Sequence, residues 1–151
     1  MEKNFETEVD QQVERLRNNP YREIERQVAE KRVAWFKENR LGIEGLTSPS
    51  PRLAYELLFF DYMGLSSDEL PVVSETEETI EWLSRNACPT LEACQALGLD
   101  TRDVCRAVYE KSTQALLSQL DPQLRFLRSY EEIRPHAAYC RERIVRVDFE
   151  A

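Results

Sequence analysis

The stretch RNACPTLEACQALGLDTRDVCRAVYEK, residues 85–111, carries the clearest helix boundaries in the chain. Pro89 suits the first position of a helix and Gly98 suits the position just after one, so a short helix is predicted between them. Asp100 is a good cap for a second helix, which the apolar pattern extends to about Leu120. Two consecutive helices are therefore predicted in this part of the chain.

The first forty residues predict two more helices. Their apolar residues recur at short helical spacings, which is the pattern of a helix with one buried face. Pro20 interrupts the pattern because it cannot donate the helical hydrogen bond and disfavours helix at Asn19. The first stripe consists of Phe5, Val9, Val13 and Leu16, and the second consists of Ile24, Val28, Val33 and Phe36.

A boundary and a further helix follow this segment. Residues 42–51, GIEGLTSPSP, concentrate glycine, serine and proline and are the best candidate for a domain boundary. Ser50 and Pro51 predict the start of a helix. Residues 52–64, RLAYELLFFDYMG, are too apolar all round for a surface helix. This helix is therefore expected either in the middle of the domain or in a dimer interface.

Three segments are predicted as strands. Residues 79–88 fit either a strand or a helical stripe, and we favour a strand that ends at Cys88. Residues 124–133 and 139–149 alternate apolar and polar side chains and are joined by the loop IRPHAA, which predicts an antiparallel hairpin. Helices followed by a strand, two helices and a hairpin indicate an α+β fold. In this fold the N-terminal helices pack with a small antiparallel sheet and two further helices.

The charge distribution and the hydropathy exclude several classes of protein. The net charge is −8, and residues 41–100 contribute eleven acidic and only two basic residues to it. No segment has the basic surface that nucleic-acid binding requires. The sequence has no apolar stretch of membrane-spanning length and no secretory signal, which predicts a cytoplasmic protein with no membrane partner. The four cysteines are accordingly expected to be free thiols.

These cysteines are the main candidates for chemistry. Cys88 lies at a predicted helix N-cap, where amide groups and the helix dipole favour a thiolate, so it is a candidate nucleophile or ligand. The alternative is a cysteine packed under Trp82. Cys94 and Cys105 lie on apolar stripes and are interpreted as core residues, unless the stripe of Cys105 also borders a pocket. Cys140 begins the last strand, on a face that the sequence does not fix.

Other polar groups have mainly structural interpretations. The cysteine spacings differ from those of structural zinc sites, so zinc or an iron–sulfur cluster on Cys88, Cys105 and Cys140 is a minor alternative. His136, in the hairpin loop, is interpreted as solvated rather than as an acid or base. The acid-rich residues 68–78 are interpreted as a solvated loop. The hairpin arginines suit surface ion pairs, although arginine is also the preferred partner of a substrate carboxylate.

Three stretches, ACPTLEACQALGLDTRDVC, LDPQLRFLRSY and AAYCRERI, resemble the C-terminal half of the family named for L-2-amino-thiazoline-4-carboxylic acid hydrolase. The resemblance covers about residues 80–146. It departs from the family pattern in the hairpin, where the family has a glycine before the last cysteine and an aromatic residue soon after it. The matching positions are Cys88, Pro89, Leu97, Gly98, Cys105, Pro122, Arg128 and Cys140.

The resemblance implies a small-molecule pocket and a hydrolase that opens a thiazoline ring at a C–N bond. It implies Cys88 as nucleophile or metal ligand, Cys105 and Cys140 beside it, and Arg128 as the group that holds a ligand carboxylate. The alternatives are a non-catalytic ligand- or metal-binding module and a purely structural helical protein. The predicted organisation is a helical arm that forms a homodimer, residues 1–45, followed by the pocket domain, residues 46–151.

Overall fold

The chain folds as helices packed on one antiparallel sheet, the α+β class that the order of predicted elements indicates. The computed structural model describes residues 4–39 and 49–147. The strands form a four-stranded sheet in the order β1-β2-β4-β3, with every neighbouring pair antiparallel. The elements are α1 (Phe5–Asn18), α2 (Tyr21–Asn39), α3 (Pro51–Glu56), β1 (Val72–Glu75), β2 (Thr79–Ser84), α4 (Pro89–Leu97), α5 (Thr101–Val104), α6 (Glu110–Leu120), β3 (Leu124–Arg128) and β4 (Cys140–Arg146).

Two helical runs contain π-helical turns. Residues Leu57–Tyr62 continue α3, and residues Cys105–Tyr109 join α5 to α6. A π-helical turn shifts the hydrogen bonds from four to five residues, as in the bond from Met63 N–H to the carbonyl of Leu58 at 3.1 Å. Such turns change which side chains face the interior, and they are frequent at functional sites.

The predicted helix boundaries are confirmed where the structure describes them. Pro20 separates α1 from α2, and Ser50 caps α3 by accepting a hydrogen bond from the N–H of Leu53 at 3.1 Å. Asp100 caps α5 by accepting from the N–H of Arg102 at 2.9 Å. Most of the predicted boundary at residues 42–51 lies outside the described residues.

Helices α1 and α2, the predicted arm, pack against the rest of the chain. Helix α1 lies along α4, and α2 lies along α6. Leu16, Ile24 and Val28 are buried in one cluster with Cys94 and Val108, which confirms Cys94 as a core residue. Part of the apolar face that the sequence assigns to the arm is thus covered within the chain, whereas Phe5 is 37% exposed. Dimerisation of the arm stays a prediction.

The sheet confirms the C-terminal hairpin and corrects two other predictions. Strands β3 and β4 pair in register from Leu124 opposite Arg146 to Arg128 opposite Glu142. The strand that was predicted to end at Cys88 ends at Ser84. The acid-rich segment is not loop throughout, because it contains β1, which pairs with β2. This strand is short and mostly exposed, so it lacks the alternation that reveals a half-buried strand.

The main core lies between the sheet and the helix that begins at Pro51. Trp82 is fully buried on the inner face of β2, with its ring centroid 5.0 Å from that of Tyr55 and 5.1 Å from that of Phe59. Leu57 and Leu58 belong to the same core. The over-apolar helix therefore occupies the middle of the domain, the first of the two positions that its sequence allows.

Replacing Gly98 by alanine is expected to lower the free energy of unfolding by about 1 kcal/mol. Gly98 ends α4 with φ of +70°, a left-handed conformation that is unfavourable for residues with a Cβ. An added Cβ would meet no atom within 4 Å, so the cost comes from the backbone and not from a clash. Urea denaturation followed by circular dichroism measures it. Gly98→Asn is the control, since asparagine tolerates this conformation, and an equal loss in both variants would contradict the explanation.

Candidate functional site

A cavity of about 450 Å³ lies between the helical arm, the N-terminal end of α4 and the inner face of β3 and β4. This volume is within the usual range for sites that enclose small molecules. Both π-helical turns contribute to the wall, through Leu58 and Phe59 from one and Cys105 and Tyr109 from the other. Helices α1 and α2 and the later elements therefore build the cavity together.

Every residue that the family resemblance singles out for chemistry lines this cavity. Cys88, Cys105, Cys140 and Arg128 come from four different elements, yet all four border the same space. All the cysteines are free thiols. The fourth, Cys94, is completely buried in the core on the other side of α4 and does not border the cavity.

Cys88 is the N-cap residue of α4, as predicted, but its surroundings do not favour a thiolate. Burial raises the pKa of the Cys88 thiol, and it outweighs the amide of Leu91 and the charge of Arg134, which act in the opposite direction. The helix terminus favours a thiolate, but the cost of burying its charge outweighs that effect. The expectation of an easily ionised thiol at Cys88 is therefore not supported.

Cys105 and Cys140 lie together on the sheet side of the cavity. They form a small apolar cluster with Ile133, and Tyr130 packs against it. Burial raises the pKa of the Cys105 thiol to about 12, although the charge of Arg128 acts in the opposite direction. The sulfur of Cys140 differs in accepting hydrogen bonds from the main-chain N–H of Arg134 at 3.4 Å and from its Nε at 3.3 Å.

Arg128 and Glu142 form a buried ion pair at the cavity wall. The distance from an Nη atom of Arg128 to Oε1 of Glu142 is 3.4 Å, and only 11% and 5% of the two side chains is exposed. Burial acts to lower the pKa of Arg128, but Glu142 and then the neighbouring thiols raise it above its ordinary value. Arg128 therefore already has an anionic partner within the protein.

Arg32 is a second buried arginine, and the sequence interpretation did not include it. It projects from α2 and donates a hydrogen bond to the hydroxyl of Thr113 at 2.6 Å. Its guanidinium carbon lies 5.8 Å from the ring centroid of Tyr62 and 5.9 Å from that of Tyr109. Burial lowers the pKa of Arg32, and no carboxylate of the described residues forms an ion pair with it.

Unpartnered polar atoms concentrate at this cavity. Buried side-chain atoms of native proteins normally have hydrogen-bond partners. Within the described residues the exceptions are Oε1 of Gln12, Nε of Arg32, Nε of Arg128, the hydroxyl of Tyr130 and Oε2 of Glu142. All of these residues except Tyr130 line the cavity. The cavity wall is therefore built partly from buried polar side chains whose hydrogen-bonding capacity the described residues do not fully use.

The remaining sequence candidates lie elsewhere. His136 is exposed, with its Nε2 at 3.3 Å from a carboxylate oxygen of Asp100, and it does not border the cavity. Arg141 pairs with Glu81 and Glu132, in agreement with the surface interpretation of the hairpin arginines. In the part of the chain that the structure describes, no three His, Cys, Asp or Glu side chains group in a way that could hold a metal ion.

Comparison with known proteins adds no identification. No protein-family model matches this chain, and no curated protein matches it. The resemblance to the thiazoline hydrolase family stays a prediction. Among residues 4–39 and 49–147, no helix has the length and apolar character needed to cross a membrane.

Proposed function

We propose that the protein binds a small anionic molecule, with a carboxylate as its charged group, in the cavity between the arm and the sheet. The observation that carries this proposal is Arg32, a buried cation without an anionic partner among the described residues. The ligand carboxylate would complete its hydrogen bonds and balance its charge.

Arg32 is buried, with only 7% of the residue exposed. A buried charge is strongly unfavourable unless it is paired and hydrogen-bonded. Thr113 accepts one hydrogen bond, and the faces of Tyr62 and Tyr109 add modest attraction, but the Nε donor has no partner. A planar guanidinium with free donors matches the two oxygens of a carboxylate.

The cavity wall carries mainly positive charge. The wall contains five Lys or Arg side chains and two carboxylates, whereas the whole chain has a net charge of −8. A cleft lined mainly by one sign of charge attracts ligands of the opposite sign. One of the two carboxylates, Glu142, is already paired with Arg128. This contrast between wall and chain favours an anionic ligand.

Hydrolysis of a C–N bond in a small cyclic carboxylate is the second candidate function. The specific observation in its favour is that Cys88, Cys105, Cys140 and Arg128, which carry the family resemblance, border the same cavity. A thiol near a bound carboxylate-bearing ligand is a suitable nucleophile for such chemistry. By contrast, a non-catalytic binding module needs only the cation of Arg32 and the cavity, and no reactive thiol.

Location and assembly are supported less directly. Four free thiols are consistent with the reducing cytoplasm that the sequence predicts. A homodimer through the arm has less support, because most of the buried apolar residues of α1, α2 and the helix from Pro51 pack within the chain, and Phe5 and Met63 are the large apolar side chains of these helices that are exposed. Light scattering of the purified protein measures its mass and tests the dimer.

Replacing Arg32 by methionine is expected to weaken carboxylate binding by roughly 10- to 100-fold, the effect of losing hydrogen bonds to a charged group. Isothermal titration calorimetry would compare thiazolidine-4-carboxylate, benzoate and pyruvate with the uncharged amide of each. The wild-type protein should bind at least one carboxylate more tightly than its amide.

The matched control is Arg22→Met, which removes an exposed arginine from the same helix. It should leave the preference for carboxylates unchanged. Absence of any preference in the wild-type protein, or an equal preference in Arg32→Met, would show that Arg32 does not hold the ligand.

A further inference from the structure

The sulfur of Cys140 has an environment that no other described cysteine shares. It accepts one hydrogen bond from the main-chain N–H of Arg134 at 3.4 Å and a second from the Nε of the same residue at 3.3 Å. The guanidinium is itself held in place, because one of its Nη atoms donates to the carbonyl of Asn86 at 2.6 Å. A fixed cation thus donates directly to the sulfur.

This arrangement places two hydrogen-bond donors, one of them cationic, on the sulfur. The thiolate is the nucleophile, and a neighbouring arginine stabilises it by charge and by hydrogen bonding. Cys88 and Cys105 lack a guanidinium hydrogen bond to sulfur, and burial raises the pKa of both. Of the three cavity thiols, Cys140 is the one whose sulfur accepts a hydrogen bond from a guanidinium.

Access to Cys140 is through the cavity. The residue is only 7% exposed, yet it borders the cavity, and its apolar contacts with Cys105 and Ile133 cover it elsewhere. Glu142, two residues further along β4, is 5% exposed and has an unpartnered Oε2. Arg32, 7% exposed with an unpartnered Nε, borders the same space. These unpartnered groups independently indicate a polar ligand beside the thiol.

We infer that Cys140 is the nucleophile of this cavity and that its reaction partner is an anionic molecule with an electrophilic carbon. Arg134 is the positioning residue that acts through the sulfur. This inference rests on the proposed binding of a carboxylate.

The covalent step is an addition to a carbon doubly bonded to nitrogen or oxygen. The S–C bond forms while the π bond breaks, and its electron pair moves to the nitrogen or oxygen. The proton of the thiol ends on that heteroatom, so the step needs no oxidant or reductant.

Iodoacetate and iodoacetamide test the inference as a matched pair of probes, one anionic and one neutral. In both reactions the sulfur forms a bond to the CH₂ carbon, iodide leaves, and the thiol proton passes to water. Wild-type protein would be treated with each probe at limiting concentration, and the first modified cysteine identified by peptide mass mapping. The ratio of the iodoacetate rate to the iodoacetamide rate would be compared with that of N-acetylcysteine.

We expect Cys140 to be modified first by both probes. The iodoacetate-to-iodoacetamide ratio should exceed that of N-acetylcysteine by roughly tenfold, the effect of one favourable charged contact. Arg32→Met should remove this preference. Cys140→Ser should abolish the first modification, whereas Cys94→Ser, in the core, should leave it unchanged.

Two substitutions of Arg134 test whether this residue promotes the reaction of Cys140. Arg134→Gln should slow the reaction of Cys140 with iodoacetamide by roughly tenfold, and Arg134→Lys, which keeps the charge, should restore part of the rate. A merely structural role would make both variants react alike. Circular dichroism melting curves establish that both variants are folded.

The outcomes separate this inference from the proposed function. In one outcome iodoacetate is preferred, the preference depends on Arg32, and the first label is on Cys88 or Cys105. This outcome overturns the role of Cys140 as nucleophile but leaves the proposed carboxylate binding intact. In a second outcome Cys140 is labelled first but iodoacetate is not preferred over iodoacetamide. This outcome overturns the inference that the reaction partner is anionic, and with it the proposed function. If all cavity thiols react no faster than N-acetylcysteine, the assignment of Cys140 as a nucleophile is overturned.

Discussion

Trp82→Ala is expected to lower the free energy of unfolding by about 3–5 kcal/mol. Trp82 is fully buried, and its ring contacts those of Tyr55, Phe59 and Phe126. Its Nε1 donates a hydrogen bond to the hydroxyl of Ser84 at 3.2 Å. The substitution removes apolar contacts on several sides, leaves a cavity, and deprives Ser84 of its donor.

Urea denaturation followed by far-ultraviolet circular dichroism is the suitable measurement. Fluorescence is less suitable because Trp82 is one of only two tryptophans in the chain. The control is Leu127→Ala on β3, where 37% of the residue is exposed and a change of about 0.5 kcal/mol or less is expected. A loss below about 1.5 kcal/mol for Trp82→Ala would mean that the neighbouring aromatic rings move to fill the cavity left by the indole.

The helices could be predicted from local chemistry because their boundary residues act locally. Proline removes a backbone donor, and glycine accepts a left-handed backbone, whatever the rest of the chain does. Pro20, Pro51, Pro89 and Gly98 accordingly mark helix boundaries that the structure confirms.

Strand β1 could not be predicted in this way. Its place depends on pairing with β2, a non-local interaction, and its mostly exposed side chains leave no alternating pattern. Acidic residues on both sides made the segment similar to a solvated loop. The end of β2 was misplaced for a related reason, since the four residues from Arg85 to Cys88 are no longer held by a neighbouring strand.

Only part of the candidate site could be predicted from the sequence. The sequence pointed to the cysteines and, through the family resemblance, to Arg128, but not to Arg32 or to the burial of Glu142. Arg32 occupies the third position of the series Ile24, Val28, Arg32 and Phe36, which advances by four residues and is buried throughout. A charged residue in an apolar stripe is a signal of a buried ionic or ligand contact, and it was present in the sequence.

The strands carry the same signal. Glu142 lies between Cys140 and Ile144 on the inner face of β4, and Arg128 follows Leu124 and Phe126 on the inner face of β3. The alternation of Leu124 and Phe126 on β3 extends to Arg128, but on β4 the sequence did not fix the face of Cys140 and Glu142. The interpretation of the hairpin arginines as surface residues also hid the buried pair. The register that sets Arg128 opposite Glu142 follows from strand pairing, which local patterns do not specify.

Glu142→Ala is expected to lower the free energy of unfolding by about 3–5 kcal/mol, because it leaves the buried cation of Arg128 without its partner. The two side chains are 11% and 5% exposed, so water replaces the lost carboxylate only through the cavity. The expected loss is larger than that of a surface pair. Glu81→Ala, which removes a carboxylate that pairs with Arg141 on the neighbouring strand, should cost about 1 kcal/mol or less.

The double variant Arg128→Met/Glu142→Leu separates the value of the pair from the penalty of an unpaired charge. Removing both charges removes the desolvation cost of each, so the double variant should be more stable than Glu142→Ala and close to the wild-type protein. Urea denaturation of the wild-type protein, Arg128→Met, Glu142→Leu and the double variant gives the coupling energy. If Glu142→Ala loses less than about 1 kcal/mol, water in the cavity solvates Arg128. Arg128 would then join Arg32 as a cation available to the ligand, whereas the expected large loss would keep Arg128 in a structural role and leave Arg32 to bind the carboxylate.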